Sequence, residues 1–268
     1  YADDAKLYFV YPAYMWSPLL QMALTVLETW SLSWGLQLAV PKCQVLYLGR
    51  TNPRRIYNLF GEELKVASSV RDLGVTISED LSWYAHITGI VAKASNCANA
   101  ILKSFHYVDF KLLAQAFIIY IRPILESACA VWAPHFKQDK QLVESVQRKF
   151  TKKLFLKCGI QSASYEARLR VLEWTSLEDR RNCADLVLMF RILKGYTEGA
   201  EELFRLHAPY IGLRGNKIRI TCDRPRLDVR KYFYCSRIVD KWNALDVDIS
   251  IFKNCKQFAD YLYERMVF

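Results

Sequence analysis

"VRDLGVTISEDLSWYAHITGIVAKASNCANAILKSF", residues 70–105, carries two hydrophobic patterns in succession. Up to Ser78 the run is short and rich in β-branched residues, which reads as strand. From Trp83 onward, apolar residues recur at helical spacing over a stretch too long for one strand. The switch, near residue 81, divides the chain. Strand and helix signals alternate before it, and nearly every periodic segment after it is helical. The fold class this predicts is α+β, with a small residual sheet at the N-terminus and a mainly α-helical remainder.

Working backward, "KLYFVYP" reads as a strand stopped by Pro12, because proline cannot donate to a ladder. Ser17-Pro18 reads as an N-cap with proline in the first turn. Leu20, Ala23, Leu24, Leu27, Trp30 and Trp34 then follow at helical spacing, and Gly35 closes the helix. "LQLAV" and "CQVLYLG" are short strand candidates on either side of Pro41-Lys42. "IYNLF" and "LKVAS" flank Gly61 as a hairpin would.

Working forward, "DFKLLAQAFIIYIR" predicts a helix ended or kinked near Pro123. "DKQLVESVQRKFTKKLFLK" places Leu142, Val143, Val146, Phe150 and Leu154 on one face. Arg148, Lys149, Lys152, Lys153 and Lys157 lie largely elsewhere on that helix. "SLEDRRNCADLVLMFRILKG" opens with Ser176 and Asp179 spaced as a capping box and ends at Gly195. From about residue 200 the composition shifts. Between Gly212 and Arg237, eight Lys or Arg stand against two acids, a net +6 out of the chain's +10.

That +10, with 52% hydrophobic residues in 268, excludes a disordered chain and favours a polyanionic partner. Nucleic acid comes first and an acidic membrane surface second. The eight cysteines form no C-x-x-C clip and have no accompanying His pair, so zinc is not expected. Their even spread reads as reduced thiols in an intracellular protein, nuclear or cytoplasmic. The longest apolar run, "AQAFIIYI", is too short to span a bilayer, and no membrane partner is expected. His86, His106, His135 and His207 have no paired carboxylate or nucleophile nearby. Trp132 and Trp242 read as core.

The chain opens with "YADD" (1–4). Adjacent carboxylates repel, and a divalent cation is what best holds both ionised. On a tight turn, Asp3 and Asp4 could help bind hard, oxygen-preferring Mg²⁺ (Mn²⁺ is the alternative). Two such ions make a phosphoryl-transfer site, but a third carboxylate must come from another strand. The competing reading is a solvated Asp-Asp turn.

"YADD" resembles the metal-binding motif of reverse transcriptases, most closely those of retrotransposons without long terminal repeats, the LINE type. "WGLQLAVPKCQVLYLG" is similar to the family's next segment, and "VRDLGVTISEDLSWYAHI" to its primer-grip hairpin and the entry to the thumb. "IYIRPILESACAVWAP", "LVESVQRKFTKKLF", "YEARLRVLEWTSLEDRRNCADLVLMFRILKG" and "LDVRKYFYCSRIVDKWNAL" resemble the Jockey-like branch, in the same order. Asp246 in "WNALD" stands where that branch has proline.

The resemblance implies an RNA-directed DNA polymerase, a nucleotidyltransferase extending a DNA primer on an RNA template with deoxynucleoside triphosphates. It implies a partial palm of short antiparallel strands and a helix over 1–81, a thumb-like helical domain over 82–200, and a basic region over 201–268. Asp3 would ligate the catalytic metals and Asp4 would support them. Tyr1 and Ala2 would shape the floor under the primer end. Lys42 would sit near the leaving pyrophosphate, as clamp or proton donor; its alternative is an ordinary turn lysine. Leu73 and Gly74 would grip the primer, glycine allowing close backbone approach.

The thumb would hold an RNA–DNA duplex by phosphate contacts, with the cations of residues 148–157 as candidates. In the tail, Arg214, Lys217, Arg219, Arg224, Arg226, Arg230 and Lys231 lie near Tyr232, Phe233 and Tyr234, a mixture suited to single strands and RNA. A core role for those aromatics stays open and is favoured for Phe233. The family's fingers, its first palm aspartate and its endonuclease are expected before residue 1, so this chain alone is not expected to extend a primer. The alternative is a nucleic-acid-binding remnant without catalysis.

Overall fold

The computed structural model describes residues 5–10, 18–105, 109–161, 164–197, 204–206 and 218–266. The class is α+β, as expected. Two compact units divide the chain, Tyr1–His86 and Ile87–Phe268. Tyr1, Ala2, Asp3 and Asp4, together with Arg214 and Lys217, lie outside the described residues, as do His106 and His207.

The first unit is built around helix α1 (Leu19–Trp34). Gly35, at φ 65°, ends it in the left-handed conformation, and the amide of Leu36 returns to the Ser31 carbonyl (2.9 Å). Leu24 is buried with Tyr47, Tyr57, Leu59 and Leu64 in a small core, with Leu20 packed against them. The helix forms at the expected spacing, but Trp30 and Trp34 are exposed, as are Met22 and Val26. The helix is apolar nearly all round, so periodicity could not single out one face.

Strand β1 (Gln44–Leu46) pairs with β4 (Lys65–Ala67). The pair is parallel, which corrects the expectation of antiparallel strands alone. Residues 47–64 form the long crossover a parallel pair needs. That crossover holds the expected hairpin about Gly61, β2 (Asn58–Leu59) against β3 (Glu62–Glu63). "VRDLGVTIS" is itself a hairpin, β5 (Ser69–Asp72) antiparallel to β6 (Val75–Ser78). Two segments read as strand are not: residues 5–10 form no strand, and in "LQLAV" Val40 begins a 3₁₀ turn, Val40–Lys42, with Pro41 in its first turn. Each β segment sits in its own two-stranded ladder, so there is no single residual sheet among the described residues.

The second unit is helical. It takes in α2 (Tyr84–Ser104) from Ile87 onward, then α3 (Phe110–Ala116), which Asp109 caps by accepting from the amides of Lys111 and Leu112. Pro123 does not end this helix. The ladder widens into a π turn, Phe117–Ile121, where the Arg122 amide donates to the carbonyl of Phe117, and runs on as α4 (Arg122–Glu126). Proline removes one donor and crowds the carbonyl four residues back, and the wider turn accommodates both. Next come α5 (Cys129–Trp132), α6 (Lys137–Lys157), α7 (Tyr165–Leu172) and α8 (Leu177–Leu193). Ser176 caps α8 by accepting from the Asp179 amide (3.0 Å), as its spacing predicts. Val143, Val146, Phe150 and Leu154 are buried, and Phe150 meets Phe117 at 4.8 Å between ring centroids.

One short ladder follows, β7 (Arg205–Leu206) with β8 (Ile220–Thr221), then α9 (Asp228–Lys231), α10 (Tyr234–Asn243) and α11 (Cys255–Met266). Residues beyond 201 do not form a unit apart. Cys183, Leu186, Met189 and Phe190 of α8 share one core with Ile238 and Trp242 of α10 and Phe258 and Leu262 of α11. Trp132 and Trp242 are fully buried, as expected, and their indoles donate to the carbonyls of Ser127 (2.8 Å) and Ile218 (2.9 Å). All eight cysteines are free thiols.

Phe258 touches Phe190 (4.9 Å), Phe252 (5.2 Å) and Trp242 (6.2 Å) and has no exposed surface. Phe258→Ala is expected to destabilise the helical unit by about 3–5 kcal/mol. An unchanged midpoint in chemical denaturation would show that the tail packs elsewhere.

Candidate nucleic-acid interface

The Leu73-Gly74 turn joins β5 to β6 with both residues at positive φ, 46° and 86°. Such a two-residue turn matches strand twist, but it strains leucine, whose Cβ crowds the backbone there. Leu73 is exposed, so nothing in the core compensates it. Two contacts hold the hairpin. Lys6 pairs with Asp72, the residue before the turn. On the other strand, the Thr76 amide donates to Nδ1 of buried His86 (3.2 Å). That bond requires Nδ1 unprotonated. Burial, then the charge of Arg71, push the His86 pKa below its usual 6.5. Lys42 is exposed in the 3₁₀ turn that leads into β1, and β1 touches β5, the strand before the Leu73 turn.

The cations of α6 divide into two groups. Lys157 donates to the carbonyls of Leu102 and Phe105 (both 2.6 Å), closing the C-terminal end of α2. Lys153 donates to Asn99 (2.9 Å), and Arg148 lies over the Tyr165 ring at 5.0 Å. Lys149 and Lys152 are exposed with no hydrogen bond or ion pair among the described residues. Spacing alone could not separate these groups, because the difference lies in what the neighbouring helices offer.

The tail divides in the same way. Arg219 donates to the Asn243 carbonyl and is fixed inside the fold. Arg224, Arg226, Arg230 and Lys231 are exposed. They share this surface with Leu227, Val229, Tyr232 and Phe233, all substantially exposed. Phe233 is therefore not the core anchor favoured from the sequence. Its neighbour Tyr234 takes that place, buried, with its hydroxyl on the Asp185 carbonyl (2.9 Å). The ring of His135 stacks on Tyr232 at 4.0 Å and 5°, next to exposed Phe136. Burial lowers the pKa of His135, so at neutral pH it adds a ring to the patch and no charge.

Arg237 holds this strip in place. Its Nε and Nη2 each take one oxygen of Asp185 at 2.9 Å, Nη2 also reaches the Ala130 carbonyl (2.7 Å), and Nη1 reaches that of Tyr232 (3.3 Å). Arg237 and Asp185 were missed in the sequence, because a pair so far apart in the chain leaves no local pattern.

Among the described residues, no three His, Cys, Asp or Glu side chains converge as a metal site would need. Nor, among the described residues, is any helix long and apolar enough to cross a membrane.

No family model matches the chain, and no solved structure matches it. An uncharacterized protein of Caenorhabditis elegans is 23% identical over 133 residues, covering 50% of this chain and 67% of its own.

Because the folded pKa of His86 is depressed, its contribution is complete above the unfolded value near 6.5 and is lost as pH falls from there through the folded value. The slope is at most about 1.4 kcal/mol per pH unit. His86→Asn, which keeps an acceptor near the Nδ1 position, is expected to flatten this acid limb for the first unit. A limb unchanged in the variant would assign it to other groups.

Proposed function

We propose that this chain is part of a reverse transcriptase of the non-LTR, Jockey-like type, binding template and primer through the strip Arg224–Phe233 and the Lys149–Lys152 surface of α6. The observation that carries this reading is the strip itself. Four cations, Arg224, Arg226, Arg230 and Lys231, stand exposed beside exposed Tyr232, Phe233 and Phe136. Exposed cations gain from phosphate by releasing its counterions, and exposed rings stack on bases whatever the sequence. The order of the family-like segments, from "YADD" to "KWNAL", gives that binding its polymerase setting.

In this reading the Leu73-Gly74 turn meets the primer backbone. Its strain is consistent with a site where exposed conformation serves a ligand and not the core. The Lys42 ammonium stabilises charge on departing pyrophosphate or gives it a proton. Asp3 and Asp4 would hold Mg²⁺, or Mn²⁺ in its place, with a third carboxylate completing the set. Such a metal pair would supply activation of the primer 3′-hydroxyl and charge stabilisation for the leaving group. The second reading, a nucleic-acid-binding form without catalysis, shares the interface and differs in giving Asp3, Asp4 and Lys42 no catalytic role. Joined to an upstream palm half, Asp3→Ala should abolish primer extension and leave duplex binding nearly intact; retained extension would refute the metal-ligand role.

Binding is tested directly by titrating RNA and RNA–DNA duplex at several salt concentrations. Each phosphate contact contributes about 0.7–0.9 to the slope of log affinity against log salt. Changing Arg224, Arg226, Arg230 and Lys231 together to Gln is expected to lower that slope by up to about 3 for single strands and about 3.6 for duplex. An unchanged slope would move the interface to Lys149 and Lys152, and absence of binding at low salt would reject the function.

A further inference from the structure

Behind Trp174 lies a cavity of about 280 Å³, walled by Arg122, Thr175, Arg180 and Tyr263. These residues come from α4, the turn before α8, α8 itself and α11. The local charges do not balance. Arg180 engages both oxygens of Glu126, one through Nε and the other through Nη2 at 3.0 Å. Glu126 is the one carboxylate among the charges that raise the Arg122 pKa, and it is already engaged by Arg180.

Arg122 is left over. It is 9% exposed, its guanidinium lies 5.0 Å over the Trp174 ring and 6.0 Å from that of Phe117, and its Nε has no partner among the described residues. Burial, with Arg180 second, lowers its pKa to about 10, so it remains a cation at neutral pH. A buried guanidinium without an anion is costly, and an oxyanion entering the cavity would recover that cost. Burial raises the Tyr263 pKa, so its hydroxyl stays protonated and can donate. Glu173 also lines the cavity, but it is exposed to solvent. Phe117 stacks on Trp174 at 4.9 Å and the Arg122 guanidinium lies 5.0 Å from the same ring, so the charged donor the cavity offers is that guanidinium, which an oxyanion matches.

We propose that this cavity is a phosphate site with Arg122 as its charged donor, and that the group it takes is a backbone phosphate of the bound polynucleotide. The oxyanion site rests on the cavity alone; its polynucleotide source rests on the proposed binding function. Arg122 sits in "IYIRPILE", where the π turn and Pro123 set its position, and no count of basic residues would have marked it.

The test uses the whole chain and inorganic phosphate as probe, against chloride at equal ionic strength. The expected result is a thermal midpoint that rises with phosphate concentration. Arg122→Gln should abolish the rise, measured against the variant's own baseline. Arg122→Lys, which keeps the charge but loses the planar fork, should weaken it several-fold and keeps the test open if the Gln variant folds poorly. No rise in the unaltered protein, or a rise that both variants retain, overturns the site. In the RNA titration, Arg122→Gln should lower the salt slope by about one contact. A phosphate-dependent rise that needs Arg122, with an unchanged RNA slope, overturns the polynucleotide source in favour of a free phosphate. Loss of all RNA binding in the unaltered protein would refute the proposed function and leave the phosphate result to decide the site.

Discussion

The helical unit depends on one buried ion pair. Asp185, 1% exposed in the middle of α8, would be prohibitively costly to bury as an unpaired carboxylate. The fork of Arg237 meets both its oxygens and extends to the carbonyls of Ala130 and Tyr232. The bidentate geometry makes this one of the stronger interactions available to a protein, and losing either partner would cost about 3–5 kcal/mol. Three helices and the end of the exposed strip meet at this point. The apolar core around Trp242 and Phe258 supplies more energy, but it is non-directional. The ion pair is what fixes the orientation of α10, and with it the side on which Tyr232 and Phe233 emerge.

How the cations are used follows from this frame. Lys157, Lys153, Arg148 and Arg219 are held by carbonyls, an amide or a ring of the protein itself, while Lys149, Lys152, Arg224, Arg226 and Arg230 have no such partner among the described residues. The distinction matters physically, since a lysine already donating to two carbonyls must break those bonds before it can neutralise a phosphate. Net charge therefore overstates the interface, and the strip outside α10 carries most of what remains.

Much of the fold was legible. Local chemistry announced the Ser176 cap, the Gly35 and Gly195 stops, the Gly61 hairpin and the amphipathic face of α6, because each is decided within a few residues. What failed was decided at longer range. The parallel β1–β4 pair depends on how residues 47–64 cross over, and "KLYFV" forms no strand despite its β-like composition. Phe233 and Tyr234 exchanged roles because adjacent aromatics look alike until Asp185 selects one. The basic tail was visible as composition, but its anchors were not. Arg122 was invisible because its significance lies in Glu126 being already taken by Arg180.

The central claim is that the rings and cations beside α10 form the surface on which a polynucleotide lies. Ultraviolet cross-linking of single-stranded RNA to the whole chain, with the joined peptides identified by mass spectrometry, tests it most directly. The account predicts cross-links concentrated on Phe136, Tyr232 and Phe233, lost when excess unlabelled RNA competes. Cross-links confined to other parts of the chain, with these three residues unmodified, would contradict it.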